Sequence, residues 1–179
     1  NLRGRFESGL AAESFSVTQT GARPNLRRSF LFVPGSEERK LAKAPALGAD
    51  AVILDLEDGV APARKGEART LIRAFLQAQN GRAIEWLIRV NGFHTPYFEA
   101  DLEASVRAGP DALVIPKVDS PELLQLVDGH LTGAEHASAL PPGSLKLFAL
   151  IESARGILNA PAIATATSRL VGLILGQFN

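Results

Sequence analysis

The chain has 179 residues, a length that favours one domain with a substantial core over two full domains. Nineteen Lys and Arg residues balance nineteen Asp and Glu residues, so no bulk charge attracts nucleic acid or an anionic membrane surface. The absence of Cys excludes disulfides, thiolate nucleophiles and Cys-ligated zinc, and no apolar run reaches the roughly 20 residues of a membrane-spanning helix.

Residues 1–24 differ in composition from the rest of the chain. They are rich in Ser, Thr, Gly and Arg without a sustained helical or strand period, which predicts a flexible N-terminal tail ahead of a domain at residues 25–179. A cleaved targeting segment and an expression remnant both stay open as its origin, although Glu7 and Glu13 fit poorly with the acid-poor composition of targeting segments. We expect a soluble, cytoplasmic protein, or a mitochondrial-matrix protein if the source is eukaryotic.

From Arg27 onward, short apolar, β-branched runs alternate with longer segments of helical period. Ser36 and Ser120 are placed to cap helices, and Gly48 is placed to end one. Residues 132–144 are interpreted as a loop. The predicted strands are 28–35, 51–57, 85–92, 111–118, 145–153 and 169–176, and the predicted helices are 38–47, 63–79, 96–109 and 120–131.

The strand segments are mostly continuous apolar runs, which is typical of a parallel sheet covered on both faces. Repeated βα units fit an open doubly wound sheet or a barrel. Polar residues follow nearly every strand, as in a barrel that builds its site from many βα loops, and no G-x-G-x-x-G motif or P-loop marks a single switch point. We therefore predict an α/β fold of the TIM (β/α)8 barrel type, truncated after about six βα units.

The stretch AVILDLEDGV places three carboxylates at the end of an apolar strand, namely Asp55, Glu57 and Asp58. A buried anion without a partner is too costly to keep, so these acids either lie at a solvated rim or face a cation. The spacing supports equally a structural role, in which they solubilise the strand end and cap the next turn. Asp55 fits that role best, because it can bond backbone N–H groups or pair with a Lys or Arg.

Basic residues occupy matching places on neighbouring strands. The guanidinium of Arg89 can bind a substrate carboxylate through two hydrogen bonds, or form a structural ion pair with an acid such as Glu57. Lys117 follows the fourth strand, where a salt bridge is favoured over a Schiff-base amine. After the first strand, VPGS could offer backbone N–H groups to a phosphate, with Arg28 adding positive charge, or could form a simple turn.

Five segments together resemble one family. In chain order they are RSFLFVPG, AVILDLEDGV, IRVNGFHTPYFEADL, VIPKVDSPEL and LIESARGILNAPAIA. They are similar to the citrate lyase β-subunit-like family of the larger HpcH/HpaI aldolase group, which includes citramalyl-CoA and malyl-CoA lyases. The resemblance implies a TIM barrel that binds Mg²⁺, reversibly cleaves C–C bonds of acyl-CoA substrates, and assembles as a homo-oligomer, typically a trimer.

The resemblance also implies a metal site. Glu152, in LIES, corresponds to one of two family carboxylates that bind magnesium. The second corresponds to the position of Asn179, where this sequence departs from the family Asp. The family takes its general base from a region beyond that position, so the resemblance assigns no base to the present residues.

Further residue roles follow from the same resemblance. Arg89, in RVN, corresponds to the arginine that binds the substrate's carboxylate and carbonyl oxygen. Glu57 and Asp58 are expected near the metal and its waters, and Arg28 at the CoA entrance. We therefore predict Arg89, Glu57 and Asp58 as catalytic residues, and Arg28, Arg89 and Lys117 as residues that bind the substrate or CoA.

The sequence thus predicts an Mg²⁺-dependent lyase that cleaves a 3-hydroxyacyl-CoA of the citryl-CoA, citramalyl-CoA or malyl-CoA type to an acyl-CoA and a 2-keto acid. Mg²⁺ suits such a site because it needs only one or two protein carboxylates besides waters. Two alternatives stay open. One is a metal-dependent aldolase acting on free hydroxy-keto acids, and the other is a catalytically silent partial barrel or fragment that serves as an assembly or CoA-binding partner.

Overall fold

The computed structural model describes residues 27–79 and 84–176, so the predicted tail and Asn179 lie outside the described residues. Six parallel strands form one sheet in the order β1-β2-β3-β4-β5-β6, as in a (β/α) barrel. The strands are β1 (Phe30–Pro34), β2 (Ala51–Asp55), β3 (Glu85–Arg89), β4 (Ala112–Ile115), β5 (Lys146–Ile151) and β6 (Leu170–Leu175). The helices are α1 (Glu38–Lys43), α2 (Lys65–Gln77), α3 (Phe98–Ala108), α4 (Pro121–Ala137) and α5 (Ala154–Ile163), with 3₁₀ turns at Ala44–Ala46 and Pro62–Arg64.

The first predicted helix needs correction at both ends. The prediction that Ser36 caps it is wrong, because Glu37 occupies the cap position and no side chain accepts the free N–H groups there. The α-helix stops at Lys43 and passes into a 3₁₀ turn containing Pro45, whose missing N–H cannot continue the α-helical ladder. Gly48 follows with φ +71°, which is the left-handed conformation expected of a glycine after a helix.

Helix α4 is longer than predicted, and α5 had no predicted counterpart. Ser120 caps α4 as expected and accepts the N–H of Leu123 at 3.4 Å. However, the interpretation of residues 132–144 as a loop is wrong in its first part, because α4 continues to Ala137. Leu131 and Glu135 are fully buried on that extension. Their tertiary contacts outweigh the low helix propensity of Gly133.

The sheet divides the core into two unequal parts. Its outer face packs against the helices and contains most of the buried apolar side chains, such as Leu54, Ile88 and Leu113. Its inner face holds a smaller cluster, which consists of Ala51, Ile53, Leu87, Ala112, Val114, Phe148 and Leu150. The polar residues of the candidate site follow these inner-face residues at the carboxyl ends of the strands. The smaller apolar cluster therefore lies directly beneath the site.

The barrel is not closed within the described residues. β1 pairs only with β2 and β6 only with β5, so both are edge strands there. Burial on both faces, which the mostly apolar strand segments predict, does not extend to β6, because no described helix covers its outer face. Gly172 and Ile174 are partly buried, whereas Val171, Leu173 and Leu175 are exposed. Across residues 27–79 and 84–176, the helices are too short or too polar to cross a membrane.

A buried ion pair lies at the amino end of the sheet. Arg169, directly before β6, places Nη1 and Nη2 each 2.8 Å from a carboxylate oxygen of Glu135 in α4. Glu135 also accepts the N–H groups of Gly143 and Leu145, each at 2.9 Å. Burial alone would raise the pKa of Glu135, but these hydrogen bonds outweigh it and lower that pKa. The pair joins the last turn of α4 to the start of β6.

Candidate active site

The candidate site lies at the carboxyl ends of the strands. The register sets Pro34 beside Asp55 and Asp55 beside Arg89. Alternate residues of a strand share one face, so Asp55 and Arg89 continue the inner rows of β2 and β3. Glu152 stands in the same relation to the inner residue Leu150 of β5. Successive strands therefore direct acidic and basic side chains into one space.

Asp55 holds Arg89 in a bidentate ion pair. Arg89 donates from Nε to Oδ1 and from Nη2 to Oδ2 of Asp55, both at 2.7 Å. The same carboxylate accepts the N–H groups of Glu57 at 2.8 Å and Gly59 at 2.7 Å. The guanidinium also lies 5.1 Å from the centre of the Phe32 ring. Asp55 thus has a structural role, in which both of its oxygens accept hydrogen bonds. It holds Arg89 through Nε and Nη2, so the N–H groups of Nη1 do not bond to Asp55.

Glu57 is buried between two cations. Its Oε2 lies 3.1 Å from Arg89 Nη1, and its Oε1 lies 2.9 Å from Lys117 Nζ. Burial raises the pKa of the Glu57 carboxyl, although Lys117 and Arg89 oppose the rise. The hydrogen bond to Glu57 raises the pKa of Lys117, so its amine is protonated at neutral pH. The salt-bridge interpretation of Lys117 is therefore confirmed. Asp58 is exposed, with Oδ2 3.7 Å from Arg89 Nη1.

Backbone groups position the carboxylate of Glu152. Its Oε2 accepts the N–H of Lys117 at 2.9 Å. Gly176, just after β6, leaves the room that the side chain needs, because a Cβ there would lie only 2.7 Å from Glu152 Cγ and 3.3 Å from Oε1. Any larger residue at 176 would displace Glu152, so this glycine shapes the site.

These groups line a cavity of about 590 Å³. Its polar lining consists of Asp55, Asp58, Arg89 and Glu152, and its apolar wall includes Phe32, Leu150 and Ile174. Three carboxylates thus face one guanidinium, which leaves an excess of two negative charges on the described lining. Such a surface attracts cations and repels a small anion that arrives alone. The structure therefore brings Asp58, Arg89 and Glu152 together, with Glu57 and Lys117 in contact with them.

A layer of polar side chains that was not predicted from the sequence fixes the loop after β2 through hydrogen bonds. Lys65 Nζ donates to the carbonyl oxygens of Leu56 at 2.8 Å and Glu57 at 2.9 Å. The Nδ2 of Asn91 donates to the same Leu56 carbonyl at 2.8 Å, and its backbone N–H donates to buried Asp101 at 2.8 Å. One sequence signal could have revealed this layer: Lys65 and Asp101 are charged residues on the mostly apolar, buried faces of α2 and α3.

Arg28 lies at the other end of the sheet, ahead of β1. Its Nη2 donates to Asp50 Oδ1 at 2.8 Å, and its backbone N–H donates to Asp50 Oδ2 at 2.9 Å. Arg28 does not line the described cavity. The structure thus separates it from Arg89 and Glu152, because the length of β1 lies between the residue and the carboxyl ends of the strands.

The turn after β1 is closed by its own hydrogen bonds. The N–H of Gly35 donates to the carbonyl of Asp55 at 2.8 Å, and the N–H of Glu37 donates to the carbonyl of Pro34 at 3.1 Å. A phosphate could bind these two N–H groups only by breaking those bonds. The interpretation of VPGS as a simple turn is therefore favoured over its use as a phosphate cradle.

Replacing Glu57 with Gln is expected to remove a pH dependence of stability. Because burial raises the pKa of Glu57, the folded chain holds a proton that the unfolded chain, with the ordinary value of 4.5, has already lost. The free energy of unfolding should therefore fall in the wild type as the pH rises from 4.5 through the folded-state pKa. Urea unfolding in EDTA buffer, from about pH 4.5 to about pH 7.5, measures that slope.

The matched control is Glu103→Gln, which neutralises an exposed carboxylate on α3. This variant should keep the wild-type slope, and Glu57→Gln should flatten it. Equal slopes in the wild type and Glu57→Gln would contradict the assignment of the slope to Glu57.

Comparison with known proteins gives a consistent picture. Residues 28–179 match the HpcH/HpaI aldolase/citrate lyase family. Citrate lyase subunit beta of Leuconostoc mesenteroides subsp. cremoris is 38% identical over 150 residues, which cover 84% of this chain and 50% of that protein. A (3S)-malyl-CoA thioesterase of Cereibacter sphaeroides is 44% identical over 149 residues, which cover 83% of this chain and 48% of that protein. The chain spans about half the length of these curated relatives.

Solved structures show the same fold. The citrate lyase beta subunit of M. tuberculosis, complexed with oxaloacetate and magnesium, matches with a TM-score of 0.63 and 33% identity over 83% of this chain and 59% of that chain. CitE from the same organism, with magnesium, acetoacetate and coenzyme A, matches with a TM-score of 0.62 and 33% identity over 80% of this chain and 46% of that chain. The predicted barrel-type α/β fold is confirmed, and the chain belongs to the HpcH/HpaI aldolase/citrate lyase family.

Proposed function

We propose that this chain belongs to an Mg²⁺-dependent lyase that cleaves the C–C bond of a 3-hydroxyacyl-CoA, of the citryl-CoA, citramalyl-CoA or malyl-CoA type, to an acyl-CoA and a 2-keto acid. The observation that carries the proposal is the cavity in which Asp55 fixes Arg89 while Asp58 and Glu152 give the lining an excess of negative charge. Similar CitE chains that were solved with magnesium together with oxaloacetate, pyruvate or acetoacetate support the same chemistry.

The described residues fit a magnesium ion. Asp55 already accepts from Arg89 and two backbone N–H groups, so Glu152 and Asp58 are the lining carboxylates left to bind a cation. Within residues 27–79 and 84–176, no three acidic or histidine side chains form a metal cage. Mg²⁺ needs no such cage, because it typically takes one or two carboxylates and keeps several waters. A divalent ion would also balance the charge excess of the lining.

The proposed reaction breaks the bond between the thioester α-carbon and the hydroxyl-bearing β-carbon. The hydroxyl gives its proton to a general base, its oxygen becomes the keto oxygen, and the electron pair of the broken bond passes to the thioester enolate, which then takes up a proton at its α-carbon. When bound, Mg²⁺ would lower the pKa of the hydroxyl and hold the adjacent carboxylate. Arg89 would donate from Nη1 to substrate oxygens that carry negative charge. Glu57, which is paired with both Arg89 and Lys117, would hold that guanidinium in place.

Hydrolysis of the same thioesters is the second candidate function. It is favoured by the 44% identity to a (3S)-malyl-CoA thioesterase. The two reactions differ in their products, because hydrolysis releases free CoA thiol. This chain contains no Cys, so it contributes no thiol of its own to a colorimetric thiol assay.

The test is a product assay on the complete gene product with citryl-CoA, citramalyl-CoA and malyl-CoA, with and without EDTA. We expect the 2-keto acid to form with Mg²⁺ and to stop forming with EDTA. Glu152→Gln should lower kcat/KM by about a hundredfold, because it removes a proposed metal carboxylate without changing its size. Glu122→Gln, on an exposed residue in the first turn of α4, is the matched control and should leave kcat/KM unchanged.

The other outcomes are distinct. Thiol release without a keto acid would establish the thioesterase. Cleavage of free hydroxy-keto acids, with no thioester present, would establish an aldolase. The absence of both turnover and Mg²⁺ binding would contradict the proposal and leave the chain as a silent assembly or CoA-binding partner.

A further inference from the structure

Lys117 has an unusual backbone conformation at the site. Its φ is +56°, in the left-handed region that residues other than Gly and Asn rarely adopt. β4 ends at Ile115, and Pro116 has no N–H with which to continue the ladder. Pairing resumes at Val118, whose N–H donates to the carbonyl of Leu150 at 3.1 Å. Lys117 therefore lies outside the ladder, between Ile115 at the end of β4 and Val118, which is hydrogen-bonded to Leu150.

The conformation of Lys117 places two of its groups on two different acids. The backbone N–H donates to Glu152 Oε2 at 2.9 Å, and Nζ lies 2.9 Å from Glu57 Oε1. The Lys117 side chain is 64% exposed, so burial does not force the backbone into this conformation. Backbone strain of this kind persists only where the surroundings fix it, and it concentrates at functional sites.

We propose that Lys117 is a positioning residue for Glu152 and that it acts through its backbone. The left-handed conformation aims the N–H at one oxygen of Glu152, and Gly176 leaves space at the other side of that carboxylate. The inference rests on the proposed function, because Glu152 is the carboxylate proposed for Mg²⁺. Ala139, the other described non-glycine residue with positive φ, follows the end of α4, and its N–H donates to the carbonyl of His136 at 3.1 Å.

The test separates the backbone of Lys117 from its side chain. Lys117→Gly and Lys117→Asn tolerate positive φ but remove the ammonium, whereas Lys117→Val also disfavours the conformation. Lys146 is exposed at the start of β5, and its replacements by Gly and Val are the matched controls. Both controls should bind Mg²⁺ as the wild type does, with Val tolerated better than Gly because a strand prefers β-branched residues.

Two measurements on the 179-residue chain are needed. NMR amide exchange should show the residue 117 amide protected in the wild type, Lys117→Gly and Lys117→Asn, and about tenfold faster in Lys117→Val and Glu152→Ala. Calorimetric titration with MgCl₂ should give a Kd within about twofold of the wild type for Lys117→Gly and about tenfold weaker for Lys117→Val.

Equal losses in Lys117→Gly and Lys117→Val would assign the effect to the ammonium and overturn the proposal. Equal amide exchange in the wild type and Glu152→Ala would overturn it as well, and this comparison decides even if Lys117→Val does not fold. If the amide pattern is as expected but no chain binds Mg²⁺, the positioning of Glu152 stands and the proposed metal function fails.

Discussion

Replacing Arg89 with Met is expected to lower the free energy of unfolding by about 3–5 kcal/mol, because it leaves buried carboxylates without their cation. Asp55 would keep only the N–H groups of Glu57 and Gly59, and Glu57 would keep only Lys117. Turnover should also be lost, since Nη1 is the group of Arg89 proposed to contact substrate. Urea unfolding at neutral pH measures the first effect, and the keto-acid assay measures the second.

Two further variants test the cause of this destabilisation. Arg107→Met removes a guanidinium that is 53% exposed on α3, and it should cost less than about 0.5 kcal/mol. Combining Arg89→Met with Asp55→Leu should recover part of the lost free energy of unfolding, because the buried Asp55 carboxylate that lacks a cation is then removed. The recovery should be incomplete, since the two backbone N–H groups lose their acceptor. A loss below about 1 kcal/mol in Arg89→Met would show that the pair is not the main support of this region.

Replacing Arg169 with Met is expected to destabilise the chain by a similar amount, about 3–5 kcal/mol, without changing the Mg²⁺ affinity of the folded protein. Glu135 is fully buried and would keep only its backbone donors. The pair lies at the amino end of the sheet, away from the cavity. Urea unfolding and MgCl₂ titration check the two halves of this prediction, and a change in affinity larger than about threefold would contradict the second.

The pH dependence of the Arg169 variant has a definite sign. The folded-state pKa of Glu135 is lowered, so the stability from its ion pair is present above the ordinary value of 4.5 and is lost as the pH falls through the folded-state pKa. The unfolding free energies of the wild type and Arg169→Met should therefore converge as the solution is made acidic. A constant difference between them over that range would count against the buried pair as the cause.

The placement of the site residues could be predicted because strand geometry has a period of two. Once AVILD and EWLIR are read as neighbouring parallel strands, Asp55 and Arg89 are expected at the same edge of the sheet. The sequence could not decide which acid binds Arg89, since Glu57 lies only two positions further. The register that sets Asp55 directly beside Arg89 decides it, and register depends on the whole sheet.

Contacts between distant residues had no local signal. Arg169 and Glu135 are 34 positions apart, and Glu135 lies in a segment that was predicted to be a loop. The role of Arg28 with CoA stays a prediction. Its charge suggested a role with CoA, but a residue that precedes a strand lies at the amino end of the sheet, and Asp50 is its neighbour there.

The buried Arg169–Glu135 pair and the cavity occupy opposite ends of the same strands, and this separation bears on how the molecule can evolve. Loops at the cavity end can acquire substitutions that alter substrate preference, and these need not weaken the anchor that ties α4 to β6. Conversely, substitutions that stabilise the Arg169–Glu135 pair are expected to leave the cavity unchanged. Directed evolution of the proposed activity can therefore begin from a variant that is already stabilised at the Arg169–Glu135 pair.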